Sequence, residues 1–321
     1  MNPRIAVLDD WQGIARQSAD WSALEARADL TVFTEPFDGE DAAAAILAPF
    51  DIIMSMRERT PFPASLVARL PRLRMLSVTG PRNRAVDLAA LTARGVVVTR
   101  TEAGEDGSAT AEIALALMLA AARHVAAGDA AIRAGGFQAG IPPGIVLRGR
   151  TLGLVGLGRL GSLMAGYGRA LGMQVLAWSP NLTPARAEAA GAAWTPKDAL
   201  LASSDVVSLH MVLAASTAGI IGARDIGLMR QGAILVNTSR GPLVDEAALL
   251  AALGGRRIVA ALDVFDREPL PPGHPLRTAP NTVLTPHFGY CVRENFAVFH
   301  RQAIENVLAF LDGAPIRPLT A

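Results

Sequence analysis

The chain has 321 residues, 51% hydrophobic and 18% charged, enough for two separate cores and inconsistent with a disordered polymer. Its formal net charge of +1 provides no field that would draw nucleic acid or an anionic membrane surface. The single cysteine, Cys291, excludes an internal disulfide, no Cys/His group has metal-site spacing, and this usage fits a reducing cytoplasm.

The first ten residues read as a strand closed by Asp9 and Asp10, without the charged-then-apolar pattern of a secretory leader. Runs rich in β-branched residues at 5–8, 30–33, 52–54, 75–78 and 96–99 alternate with Ala/Leu/Arg segments of helical period, the mark of βα units and a parallel sheet. An Ala/Leu helix is expected over 109–123. Its most apolar part, 113–122, falls well short of the roughly 20 residues of a membrane span and reads as a buried helix. The Gly/Pro-rich stretch 135–149 reads as a boundary loop. A second set of strands is expected at 152–155, 175–178, 206–209, 234–236, 258–262 and 283–284. The tail, 293–311, has helical period at Phe296, Phe299, Ala303, Val307 and Phe310, and periodicity leaves open which domain it packs on. The expected fold is α/β: two Rossmann-like, doubly wound parallel-sheet domains with an active-site cleft between them.

Residues 151–161 read TLGLVGLGRLG, a strand followed by Gly156-x-Gly158-x-x-Gly161 and a helix. The first glycine permits a tight turn, the second lets the backbone approach a pyrophosphate, and the third lets helix and strand pack closely. The glycine spacing alone is a weak signal; the strand-turn-helix context and the second strand at the expected distance make it a dinucleotide site. An acidic residue normally stands roughly 20 positions on to hold the adenosine ribose. Here Ser179 occupies that place, with Arg186 a few residues further on. The ribose position leaves NAD and NADP both open and leans to NADP, because a serine does not repel a 2′-phosphate.

Three polar groups follow strands of the second set: Arg240, Glu268 and His287. The carboxyl edge of an open α/β sheet is where ligands bind. An arginine can grip a carboxylate with two bonds, a histidine can exchange a proton near neutral pH, and a glutamate beside it can raise its proton affinity. Singly these residues read as an ion-pair partner, a turn and a loop histidine; together, downstream of a dinucleotide turn, they read as a carbonyl-reducing site.

The strings VGLGRLG, NTSRGPLVDE, ALDVFDREPL and TPHFGY, in this order, resemble the D-2-hydroxyacid dehydrogenase family, most strongly from residue 109 onward. The resemblance implies Arg240 as ligand of the substrate carboxylate, Glu268 as partner of the histidine, and His287 as acid/base. It implies cofactor contacts from Gly156, Gly158, Arg159, Leu160, Gly161, Ser179, His210, Met211, Val212, Thr217, Thr238, Ser239, Arg240, Asp263, His287 and Gly289. It also implies that 1–100 and 290–321 form a flavodoxin-like substrate domain, that 101–289 form the Rossmann domain, and that the protein is a homodimer, with the 109–123 helix a candidate for the interface. Arg57, Thr79, Gly80, Arg82 and Tyr290 are the expected substrate-binding residues, and no metal is expected. The substrate loop, Thr79-Gly-Pro-Arg-Asn-Arg-Ala-Val-Asp87, departs from the family's Gly-rich loop ending in Asn-Asp, and Met211-Val212 replace the usual proline after His210. The first departure bears on which small 2-oxo or 2-hydroxy acid is used. With Arg59, Arg84 and Asn83 also nearby, a phosphorylated acid is one candidate. Cys291 reads as a small buried filler.

Two other protein classes fit the sequence less well. A cofactor-sensing, corepressor-like binding module on the same fold does not require all three catalytic positions, which are filled here. A short-chain dehydrogenase requires Tyr-x-x-x-Lys, and neither tyrosine of this chain has it.

Overall fold

The computed structural model describes residues 2–104 and 107–320. Met1, Glu105, Asp106 and Ala321, which fall within the expected domain ranges, lie outside the described residues. The chain forms two compact units, Met1–Asp106 with Val292–Ala321, and Gly107–Cys291.

The first unit holds β1 (Arg4–Val7), β2 (Asp29–Val32), β3 (Ile52–Ser55), β4 (Met75–Val78) and β5 (Val97–Arg100), all parallel in the order β2-β1-β3-β4-β5. This is the flavodoxin-type doubly wound order. Both faces of the inner strands are covered, so β1, β3 and β4 are almost wholly buried, while edge strand β2 alternates between exposed and half-buried positions. Along β1, Ile5 and Val7 point into a core with Trp21, Leu24 and Val307, while Ala6 and Leu8 join Leu47, Phe62 and Leu66 on the other face. The helix Arg293–Leu311 thus packs on this sheet through Ala303, Ile304 and Val307. The edge of β5 is covered by the tail, with Arg100 N donating to Arg317 O at 2.9 Å and Leu319 N to Val98 O at 2.9 Å.

The second unit holds β6 (Thr151–Val155), β7 (Gln174–Trp178), β8 (Ala193–Trp194), β9 (Val206–Leu209), β10 (Ile234–Asn237), β11 (Val259–Leu262) and β12 (Thr282–Leu284). Its parallel order, β12-β11-β10-β9-β6-β7-β8, reverses between β6 and β9, the Rossmann switch point. The helix Ser108–Arg123 supplies Ala111, Ala114, Leu117 and Met118 to the core on one face.

Differences from expectation are local. β8 has two residues, too short to show a period. The helix Val125–Arg133 buries no residue and gave no core-facing stripe. It follows a 67° bend at His124, whose φ of +53° cannot continue a helix. The 135–149 stretch lies inside the second unit and is not a boundary; its glycines and prolines mark irregular chain rather than a domain junction. Among the described residues no single helix is long and apolar enough to cross a membrane, although the bent pair Ser108–Arg123 and Val125–Arg133 together has the length and composition.

Candidate active site

The glycine turn follows β6. Gly156 has φ +102°, and a β-carbon there would stand 2.6 Å from the His210 carbonyl oxygen at the end of β9. A β-carbon on Gly161 would stand 2.2 Å from Gly156 O, so the first turn of the helix Arg159–Ala170 sits directly on the loop. Gly158 is exposed, and a β-carbon there would have nothing within 4 Å among the described residues, so its backbone can approach an anion at the start of the helix Arg159–Ala170. These residues fit a dinucleotide: the tight positions are closed by this chain's own backbone, and the one facing outward is open. Gly156 N donates to Trp178 O at 2.8 Å, which sets Ser179 beside the turn. Arg186 is exposed and donates to Asn181 O at 3.2 Å, folded back on the segment after Ser179.

His210 is half-buried. Its Nε2 pairs with Ser208 Oγ at 2.8 Å, its Nδ1 is buried without a partner, and burial pushes the imidazole down to about 4, so it is neutral near pH 7. Met211 is half-buried and Val212 is 70% exposed. The Thr217 hydroxyl donates to Val212 O at 2.7 Å and accepts from Ala214 N at 2.8 Å, so it folds the 212–217 loop.

Arg240 follows β10. Asn237 shapes the turn, accepting from Ser239 N at 3.0 Å and donating to Arg240 O at 2.8 Å. Ser239 Oγ donates to Leu209 O at 2.8 Å, tying this turn to the end of β9, and Thr238 Oγ1 is buried without a partner. Gly241 then lies so close to the next segment that a β-carbon would meet Phe265 C at 2.2 Å. Phe265 N donates to Glu268 Oε1 at 3.0 Å, and Glu268 Oε2 pairs with His287 Nδ1 at 2.6 Å. Both carboxylate oxygens are engaged, which orients the acid and the imidazole together.

His287 has φ +57° on a loop held by Asp263, which is fully buried. Asp263 accepts from Thr285 Oγ1 at 2.6 Å, Phe288 N at 2.7 Å and Gly289 N at 2.8 Å. Burial pushes its carboxyl above the usual range, against the pull of those bonds and of the His287 charge. The Asp263 carboxylate is therefore committed to the loop bearing His287, a role that sequence reasoning missed; the only signal is an acid directly after a strand. The Tyr290 ring meets the His287 ring edge-on, with centroids 5.9 Å apart. Gly289 O accepts from Thr110 Oγ1 at 2.7 Å. Cys291 is half-buried rather than enclosed, with Sγ donating to His287 O at 3.9 Å. Among the described residues no group of three or more His, Cys, Asp or Glu could hold a metal.

In the first unit, Arg57, Thr79 and Gly80 come together. Arg57 N donates to Thr79 Oγ1 at 2.7 Å, Gly80 N donates to Thr101 Oγ1 at 2.8 Å, and the Arg57 guanidinium fills the space a β-carbon on Gly80 would need. Arg82 stands apart, exposed on the loop. Asn83 has both amide ends engaged within the loop, donating to Arg57 O at 2.6 Å and accepting from Ala85 N at 2.9 Å. Arg59 lies over the Trp11 ring, 5.3 Å from its centroid.

Fold and turn define a dinucleotide-binding α/β protein. Residues 115–289, more than half of the chain, match the NAD-binding domain of the D-isomer specific 2-hydroxyacid dehydrogenases, and the chain belongs to that family. It is 40% identical over 256 residues to the glyoxylate reductase of Aeropyrum pernix, covering 77% of this chain and 76% of that protein. It is 38% identical over 263 residues to the D-3-phosphoglycerate dehydrogenase of Archaeoglobus fulgidus, covering 82% of this chain but only 50% of that protein's length. The phosphoglycerate oxidoreductase structure from Vibrio cholerae superposes with a TM-score of 0.91 at 34% identity, covering 97% of this chain and 100% of that one.

Proposed function

We propose that the protein interconverts a small 2-oxo acid and the corresponding D-2-hydroxy acid with NAD(P) as redox partner. The observation that carries this reading is the 2.6 Å pairing of His287 Nδ1 with Glu268 Oε2. A carboxylate anchored by a backbone amide holds the imidazole in one orientation for proton exchange. In the reducing direction, His287 Nε2 gives a proton to the carbonyl oxygen as it becomes a hydroxyl; in the oxidising direction it takes that proton back. Arg240 grips the substrate carboxylate with two parallel bonds and fixes the 2-carbon. A nicotinamide dinucleotide bound at the Gly156–Gly161 turn supplies or receives the hydride.

The amides of Arg159 and Leu160 bind the pyrophosphate, and the 210–212 segment, Thr238 and Ser239 line the rest of the cofactor. Ser179 and Arg186 meet the adenosine ribose. With no carboxylate at Ser179, the site accepts a 2′-phosphate and favours NADP. Arg57, Thr79, Gly80, Arg82 and Tyr290 contact the substrate. The active form is a homodimer joined through the second unit. In support, Leu119, Val125, Ile132, Phe137 and Val146 expose 36–71% of their surface along one stretch of chain.

The test is oxidation of NADH and NADPH with glyoxylate, hydroxypyruvate, pyruvate, phenylpyruvate and phosphohydroxypyruvate. Turnover with at least one, abolished in His287→Ala, is the expected result. Tight cofactor binding without turnover on any of them would overturn the reading, and a monomer by sedimentation would overturn the dimer.

A further inference from the structure

Glu268 lies on the long irregular connection between β11 and β12, and the bonds at its near end do not account for how the far end is held. That connection turns back at Pro275–Arg277, a single 3-10 turn whose N-cap is His274. His274 Nδ1 accepts from Leu276 N at 3.3 Å, and Nε2 faces Glu246 Oε1 at 3.2 Å. Because Nδ1 is an acceptor, the imidazole carries its proton on Nε2 and donates to Glu246. Leu276 is 2% exposed and plugs the core beneath, while Arg277 donates to Leu270 O at 2.5 Å and Pro271 O at 2.8 Å. The turn is thus tied to the residues just after Glu268 on one side and to Glu246 on the other.

Glu246 opens the helix Glu246–Gly254, which Asp245 caps and which follows Arg240 and Gly241 in the chain. Beyond the apolar packing of Leu243, Val244 and Leu249 with Phe265, Leu270 and Leu276, the segment bearing Arg240 has two directional meetings with the segment bearing Glu268. One meeting is the backbone approach of Gly241 to Phe265, and the other is the bond from Glu246 to His274. Asp266 lies beside this contact, and burial and the Glu246 charge raise its carboxyl above the usual range.

We propose that the Glu246–His274 bond is a strut that sets Glu268 against His287, making Glu246 and His274 positioning residues for proton transfer. Apolar packing and the Gly241 approach set how closely the loop sits, and the directional Glu246–His274 bond beyond Glu268 sets its register. The proposal rests on His287 and Glu268 acting as the acid/base pair, and its test has one arm that needs no substrate.

In that arm, proton NMR follows the resonance of the short His287–Glu268 bond, assigned by its loss in Glu268→Gln. Glu246→Ala should shift or broaden that resonance, and Glu246→Gln, which keeps the acceptor, should restore it. His274→Asn keeps a cap for Leu276 N but is too short to reach Glu246, so it should behave like Glu246→Ala. In the kinetic arm, Glu246→Ala and His274→Asn should each lower kcat roughly ten- to hundredfold with KM little changed. The double variant should be no worse than either single one. An unshifted resonance in a folded Glu246→Ala protein, or additive losses in the double variant, would overturn the strut. A shifted resonance in a protein with no 2-oxo acid turnover would uphold the strut and sink the assigned reaction instead.

Discussion

Gly241 lies against the backbone of Phe265 so closely that a β-carbon at position 241 would come within 2.4 Å of the Phe265 carbonyl oxygen. The contact joins the turn bearing Arg240 to the turn whose Phe265 amide orients Glu268. Backbone cannot yield as a flexible side chain can, so Gly241→Ala should cost about 2 kcal/mol and lower turnover more than cofactor affinity. Urea unfolding with parallel kinetics checks this; unchanged stability would mean the two turns separate easily.

The Glu268–His287 pair should act as a unit. His287→Ala is expected to lower kcat by about 10²–10⁴ and leave cofactor affinity within about twofold. Glu268→Gln, which removes the carboxylate paired with His287 Nδ1, should lower kcat with KM for the 2-oxo acid little changed. If either variant weakens cofactor binding as much as turnover, the pair serves the cofactor rather than the proton.

Ser179 sits beside the glycine turn through the bond of Gly156 N to Trp178 O. Ser179→Asp places a carboxylate where it can pair with ribose hydroxyls and repel a 2′-phosphate. The ratio of kcat/KM for NADH over NADPH should rise, by about tenfold for each 1.4 kcal/mol of added discrimination. An unmoved ratio would place cofactor choice elsewhere.

Asp263 holds the loop 285–289 through Thr285, Phe288 and Gly289. Asp263→Ala leaves those donors without their acceptor and should cost about 3 kcal/mol. Hydrogen exchange at the Phe288 and Gly289 amides should accelerate in the variant. Native-like protection there would show that the loop is held by other contacts.

His300 is 3% exposed, its Nδ1 lies 2.6 Å from Ser18 Oγ, and its ring stacks on Phe296. Burial pushes it down to about 4, with Asp10 acting in the opposite direction. Its folded value is below the unfolded one, so the unfolded chain takes the proton first. The stability it contributes is whole above pH 6.5 and falls as pH drops towards 4, by about 3 kcal/mol. Asp9 opposes this: burial raises it to about 6, so its contribution is whole below 3.8 and fades as pH rises through 6. In His300→Asn the loss of stability between pH 7 and pH 4.5 should shrink relative to wild type, measured by urea midpoints. Parallel curves would clear His300 of that role.

Elements with local signals are legible along the chain. Apolar runs covered on both faces located the long strands, the glycine spacing after 151–155 located the phosphate turn, and the positions after 234–237, 259–262 and 282–284 picked out Arg240, Glu268 and His287. Short-range sterics and periodicity are written residue by residue, so a single chain suffices to read them. Long-range packing decides what holds those side chains in place. Asp263 reaches a loop more than twenty positions away, Gly241 meets Phe265, and Glu246 meets His274, none of which leaves a periodic trace. It also decided where polar groups were already engaged: Thr217 within its own loop, Asn83 across to Arg57, and the 135–149 stretch inside a unit rather than between two. The physical reason is that a hydrogen bond or close approach between distant segments depends on where the sheet order places them. That order is set by the packing of the whole unit and not by any one stretch of chain.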